Sequence, residues 1–163
     1  MSWFDHQVEN HQREQQGDDG EALENARDAF RRDFEVQVDK VVWPAFEGFV
    51  VEATEHDFPA TVAREEDAQG RLRAVRIYLL GISGAEATPL ALETCCYKIV
   101  LQMGARRVAH MMNFQNRSNP RVSNQYDFRG LDSLSAENVD AKLQQFLSLS
   151  LEYCKGQPKA QLG

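Results

Sequence analysis

The chain of 163 residues is 42% hydrophobic and 26% charged, the composition of one ordinary globular domain that can bury a core of its own. Its apolar runs are too short to cross a bilayer, so we expect no membrane partner. Its acidic N-terminus lacks the basic and apolar parts of a secretory signal, and three cysteines are too few for a disulfide framework. We therefore expect a cytoplasmic protein. The net charge of −7 opposes nonspecific nucleic-acid binding, although residues 1–59 carry 15 acids and 5 bases while nine arginines lie in residues 60–130.

The first predicted element is a long amphipathic helix that follows a polar tail. Residues 1–19 have no apolar period and end in "QQGDDG", so we expect a tail there, one domain over 20–156 and a short C-terminal tail over 157–163. Apolar residues then recur at spacings of three and four, from Leu23 to Val42, which is the period of a helix with one buried face. Pro44 predicts a kink or a fresh helix, because proline lacks the N–H that a helix interior uses.

From Ala60 the apolar period changes to two, which indicates strands. A hairpin is predicted where "ATVAREE" and "RLRAVRIYLL" flank the turn-rich "DAQG". A second hairpin joins "LALETCCYKIVLQM" to "RVAHMMNF" through Gly104-Ala105, where we expect a type II′ turn. The segment "QNRSNPRVSN" is predicted to be an exposed link before a short strand at "NQYDF", and a helical pattern then begins after Ser135.

Strands that are grouped between two helices are typical of an α+β fold. We therefore predict an antiparallel sheet of four to five strands, with a long kinked N-terminal helix and a C-terminal helix packed on one face. The other face of such a sheet is either solvated or used as a contact surface.

The adjacent Cys95 and Cys96 raise the question of a reactive thiol site. Side chains alternate across a strand, and pairing Met103 with Arg106 places Cys95 and His110 on the helix side and Cys96 on the other. The two thiols then point apart, and Cys95 lies roughly 13 Å from His110 along the strands. We therefore expect scaffold cysteines, with no catalytic dyad and no metal site.

The arginines of the sheet region are candidate ligands for a phosphate or carboxylate, because their planar guanidinium groups pair well with both. The candidate residues for binding an anion or a partner are Arg71, Arg73, Arg106, Arg107 and Arg121. Nucleic acid is the less favoured ligand, because the chain is expected to lack the exposed aromatic residues on alternating strand positions that single-strand binders use. The alternative is that these arginines pair with acids of the first helix: Glu24, Asp28, Asp33 and Glu35.

The helices carry more apolar surface than one buried stripe requires. The candidate residues for a partner interface are Trp43, Phe46, Phe49 and Leu149. Such a wide apolar surface favours a homodimer or another partner. Deep packing of these residues within their own monomer is the alternative.

The sequence contains no catalytic motif, so the preferred prediction is a non-catalytic protein-protein interaction domain: an adaptor, a chaperone-like protein or an accessory subunit. We expect it to self-associate or to bind another protein, and to need no cofactor and no metal. One alternative is an anion-binding or nucleic-acid-binding domain that uses an arginine-bearing sheet face. Another is an enzyme with a pocket between the sheet and the N-terminal helices, in which His56, Asp57 or Tyr97 takes part.

Overall fold

The computed structural model describes residues 3–8, 18–79, 95–116 and 119–153. Its helices are α1 (residues 3–8), α2 (Asp18–Gln37), a π-helical turn (Val38–Val42), α3 (Trp43–Glu55), a 3₁₀ turn (Leu131–Ser133) and α4 (Ala136–Tyr153). Its strands are β1 (Ala60–Glu66), β2 (Leu72–Leu79), β3 (Cys95–Gln102), β4 (Arg107–Asn116) and β5 (Asn119–Arg129).

The five strands form one antiparallel sheet in the order β1-β2-β3-β4-β5, so each strand pairs with its neighbours in the sequence. The long N-terminal helix and α4 pack on one face of this sheet. The predicted α+β fold is therefore confirmed, with five strands. The first described helix, α1, lies within the segment that the sequence predicts to be a polar tail.

A single run of helix from Asp18 to Glu55 carries Pro44 in its interior. Just before the proline, the N–H of Trp43 bonds to the carbonyl oxygen of Val38, five residues earlier, which is the hydrogen bond of a π-helix. Pro44 then lies in the first turn of α3. The interruption that the sequence predicts at Pro44 thus takes the form of one wide turn within a long helix.

The central hairpin has the predicted register. Gln102 pairs with Arg107, and Cys95 pairs with Phe114 at the far end. The turn differs from the prediction, because its positive φ angle of 49° belongs to Arg106 and not to Gly104. The predicted type II′ turn is therefore wrong, whereas the pairing that it was expected to produce is correct.

The region that was predicted to be an exposed link forms strand. β4 continues to Asn116 and β5 begins at Asn119, and these two residues pair with each other. Pro120 is accommodated because β5 lies at the edge of the sheet, where one strand side needs no partner. Only residues 117–118 of this link lie outside the described part of the chain.

The core lies between the sheet and the helices. Its largest fully buried side chains come from both layers: Phe34, Val38, Val42, Phe46, Val75, Ile77, Leu79, Tyr97, Ile99, Phe114, Leu134 and Phe146. The ring of Phe146 lies 5.9–6.1 Å from the rings of Phe49, Tyr97 and Phe114, which joins α3, α4 and the sheet. The space in which the enzyme alternative expects a pocket is filled by these side chains, and His56 and Asp57 are exposed beyond the end of α3.

Candidate binding surfaces

The arginines predicted to bind an anion do not converge on one site. Arg71 closes the β1–β2 turn, with its Nε atom 3.2 Å from an oxygen of Asp67 and its terminal nitrogen 2.8 Å from Gln69. Arg73 is exposed near the start of β2. Arg71 therefore stabilises this hairpin turn, and Arg73 lies next to it.

The remaining candidates lie on the other half of the sheet. Arg106 is exposed in the β3–β4 turn, and Arg107 follows it at the start of β4. Since β3 separates β2 from β4, the two arginine pairs are about 10 Å apart across the sheet. Arg121 lies near the opposite end, in β5, and its side chain is outside the described part of the structure.

The alternative pairing of these arginines with acids of the first helix is not observed for the acids whose ion pairs are described. Asp28 and Glu35 form ion pairs with Arg31 of the same helix, at 3.9 and 3.5 Å. Polar contacts between helix and sheet in the described part of the structure include the ion pair of Asp39 with Arg64, at 3.0 Å, and the hydrogen bond from the N–H of Leu72 to Glu35, at 3.1 Å.

The face of the sheet opposite the helices carries a compact charged cluster. Glu65 of β1 binds both Arg76 of β2 and Lys98 of β3, the latter at 3.0 Å. The hydrogen bond from Arg76, together with that from Lys98, lowers the pKa of Glu65 to about 2, so this carboxylate is charged at neutral pH. Glu65 is therefore shared by two cations on this face, and the cluster keeps a net charge of +1.

Two exposed aromatic side chains lie beside this cluster, on β5. Tyr126 and Phe128 are 54% and 46% exposed, and they pair with Met111 and Ala109 of β4. Arg107 lies over the ring of Phe128, 4.6 Å from its centre. The expectation that the chain lacks exposed aromatics on alternating strand positions is therefore wrong, and the alternation in "QYDF" is the signal that identifies them.

The two edges of the sheet differ in how they are protected. β1 presents Arg64 and Glu66 as exposed charges, and Arg64 lies over the ring of Trp43 of α3, 5.2 Å from its centre. β5 pairs only with β4 within the described sheet. Its outer edge is therefore unpaired there.

The residues predicted to form a partner interface have three different environments. Phe46 is fully buried in the core and has no surface to offer to a partner. Trp43 and Leu149 are half-buried and pack against the core. Phe49 is also half-buried, but it lines a groove on the outer surface of the helix layer.

This groove, between α3 and α4, consists of two adjoining depressions of about 310 and 370 Å³ that share Phe49, Glu52 and Leu147. Its apolar lining is formed by Ala45, Phe49, Ala53, Phe58, Leu143, Leu147 and Leu151. Two acids, Glu52 and Asp140, stand at opposite sides of it.

A buried chain of hydrogen bonds joins Tyr97, His110 and Ser133. The hydroxyl of Ser133 donates to the carbonyl oxygen of Gly130 at 2.8 Å, so Ser133 accepts from Nε2 of His110 at 2.9 Å. Nδ1 of His110 then accepts from the hydroxyl of Tyr97 at 2.7 Å. Since every proton has an acceptor, this arrangement fits a neutral imidazole that fixes the sheet to the 3₁₀ turn.

The surroundings of His110 keep it neutral. Burial is the main cause that lowers the pKa of His110 to about 4, with Lys142 and Arg129 acting in the same direction and Asp127 against it. A small cleft of about 150 Å³ opens beside the histidine. Asp127 lies in this cleft and binds Arg129 at 3.0 Å and Lys142 at 2.9 Å, so the two cations already have an anionic partner.

The cysteines lie where the strand alternation predicts them. Cys95 is fully buried on the helix side, and Cys96 is half-buried on the opposite face. Burial raises the pKa of Cys96 to about 11, so its thiol is protonated at neutral pH and is a poor nucleophile. The third cysteine, Cys154, lies outside the described residues.

Within the described ranges, no group of three or more histidine, cysteine or acidic side chains is arranged to hold a metal ion. A search of the described helices for one with the length and hydropathy of a membrane span finds none. Comparison of the chain with protein-family models, with curated proteins and with solved structures gives no match.

Proposed function

We propose that the protein is a non-catalytic interaction domain that self-associates by pairing β5 of one copy with β5 of another. The observation that carries the proposal is the outer edge of β5, to which no strand of the described residues pairs, together with the two exposed aromatic side chains on this strand, Tyr126 and Phe128.

An unpaired edge strand presents a row of N–H and C=O groups to which another strand can add. Proteins usually protect such an edge with outward-facing charges or with a covering element. The described charges of β5, Asp127 and Arg129, lie near one end of the strand and pair with each other. The edge next to Tyr126 and Phe128 is therefore suited to a partner strand.

Pairing of two identical edges gives a two-fold symmetric dimer with antiparallel strands. The sheet would then continue through ten strands, five from each copy. Tyr126 and Phe128 of both copies would come together on the face opposite the helices, where aromatic cross-strand pairs are stabilising.

The test is light scattering after size-exclusion chromatography at micromolar concentration, where we expect a dimer. The variant Tyr126→Lys with Phe128→Lys is expected to be a monomer, because it places like charges on both sides of the new strand pair. The matched control is Thr61→Lys with Ala63→Lys, since these two residues alternate on the same face of the other edge strand. A wild-type monomer, or a control that dissociates as much as the variant, would contradict self-association through β5.

The anion-binding alternative receives less support from the same surface. Its favourable feature is Arg107 stacked on Phe128 beside Tyr126, an arrangement on which a nucleic-acid base can stack. Against it, Glu65 already binds Arg76 and Lys98. A protein partner, which needs apolar contact more than free cations, fits this face better.

A further inference from the structure

We propose that the groove between α3 and α4 binds a basic amphipathic helix of a partner protein. This site is separate from β5 and goes beyond self-association, because it gives the protein a second kind of partner.

The length of the groove fits a short helix. On α4 the lining residues run from Asp140 to Leu151, which corresponds to about 16 Å at the rise of an α-helix. A bound helix of about three turns would cover this length. Such a helix inserts apolar anchors at spacings of three, four and seven residues into an apolar groove.

The floor of the groove offers contacts for these anchors. Phe49 and Leu147 are half-buried and contribute to both depressions. Leu151 is 42% exposed at one end, beside Phe58. Large apolar side chains that line a concave surface favour a partner that buries them.

The net charge of α3 and α4 indicates which kind of partner helix the groove favours. α3 and α4 together contain six acids, namely Glu47, Glu52, Glu55, Glu137, Asp140 and Glu152, against one base, Lys142, which gives a net charge of −5. The amine of Lys142 binds Asp127 at 2.9 Å, away from the groove lining. Charge complementarity therefore favours a helix with lysine and arginine on its polar face.

The experiment uses a labelled amphipathic peptide of about 15 residues, with leucine at the anchor positions and lysine elsewhere. Binding is followed by fluorescence anisotropy, and the site is mapped by backbone NMR shifts of the full chain. We expect saturable binding with shifts grouped on α3 and α4. The same peptide with glutamate in place of lysine is expected not to bind.

Three variants separate the groove from general electrostatic attraction. Glu52→Lys with Asp140→Lys is expected to weaken binding about tenfold relative to Glu21→Lys with Glu24→Lys, which changes the net charge equally on exposed positions of α2. Leu151→Asn removes an anchor contact from an already exposed position and is also expected to weaken binding.

Equal weakening by the two charge-reversed variants would show that only net charge attracts the peptide and would overturn the proposal. Equal binding of the acidic peptide, or NMR shifts confined to the sheet, would overturn it as well. The β5 variant, Tyr126→Lys with Phe128→Lys, is expected to bind the peptide like the wild type, so failure of self-association and failure of the groove are distinguishable.

Discussion

Mild acidification is expected to destabilise this protein through His110. His110 is 2% exposed, and its two ring nitrogens are hydrogen-bonded to Tyr97 and Ser133. Protonation would place a proton on Nδ1, which must then lose the bond that it accepts from Tyr97. The nearby charges, Lys142 and Arg129 against Asp127, do not compensate for the lost hydration.

The magnitude follows from the difference in pKa between the unfolded and folded states. The ordinary value for histidine is 6.5, and burial lowers that of His110 to about 4. Above pH 6.5 the residue is neutral in both states and costs nothing. Between pH 6.5 and about 4, only the unfolded chain binds the proton, so the free energy of unfolding declines as the pH falls. The total loss is about 3 kcal/mol, at 1.36 kcal/mol per pKa unit.

The assay is urea unfolding of the wild type and of His110→Gln at several pH values between 7 and 5. We expect the variant to be less stable than the wild type at pH 7. Because glutamine does not titrate, the variant should lose less stability on acidification. Glu65, with a pKa lowered to about 2, loses its contribution at lower pH, between about 4.5 and 2, and is common to both proteins. Parallel pH dependences for the two proteins between pH 7 and 5 would refute the buried neutral histidine.

Two further changes test the packing and the turn. Phe146→Ala is expected to lower the free energy of unfolding by about 3–5 kcal/mol in urea titration, because it leaves a cavity among three aromatic rings, whereas the exposed Leu151→Ala should have little effect; similar losses for both would contradict the central position of Phe146. Arg106→Gly is expected to raise the free energy of unfolding by up to about 1 kcal/mol, because φ at Arg106 is 49° and glycine adopts this conformation without strain. A lower free energy of unfolding in this variant would contradict the strained turn.

The strand alternation made the central sheet predictable from the sequence. A shift of one residue in β3 would turn Cys95, Tyr97 and Ile99 out of the core, so the apolar pattern allows only one assignment of faces. The details of the turn were not predictable in the same way. The same strand pairing is compatible with a positive φ at either Gly104 or Arg106, so the pairing does not reveal the turn type.

β5 was underestimated because an edge strand has weaker sequence requirements than a central one. Its outer side needs no hydrogen-bond partner, so Asn119, Pro120 and several polar residues are tolerated where a central strand would exclude them. These residues predicted an exposed link over the first part of β5, whereas the strand at "NQYDF" was predicted without the exposure of its Tyr126 and Phe128.

Phe46, a predicted interface residue, is buried in the core for a different reason. The apolar stripe of α3 is wide because this helix packs against the sheet on one side and against α4 on the other. A helical pattern shows that more than one side is buried but not which element buries it. Phe46 lies in the core against the ring of Tyr97 at 5.6 Å, while Phe49, three residues later, lies beside the groove.

If β5 pairs as proposed, the symmetry of strand pairing would let the two proposed surfaces act together. When identical edge strands pair antiparallel, the two-fold axis stands perpendicular to the sheet, so the helix layers of both copies lie on the same side. A β5-paired dimer would therefore present two acidic grooves in one direction and a continuous ten-strand face in the other. A partner with two basic helices could then bind both grooves at once, and its second helix would bind at a high effective concentration. Self-association would in this way strengthen the binding of a second protein without adding any contact to the groove itself.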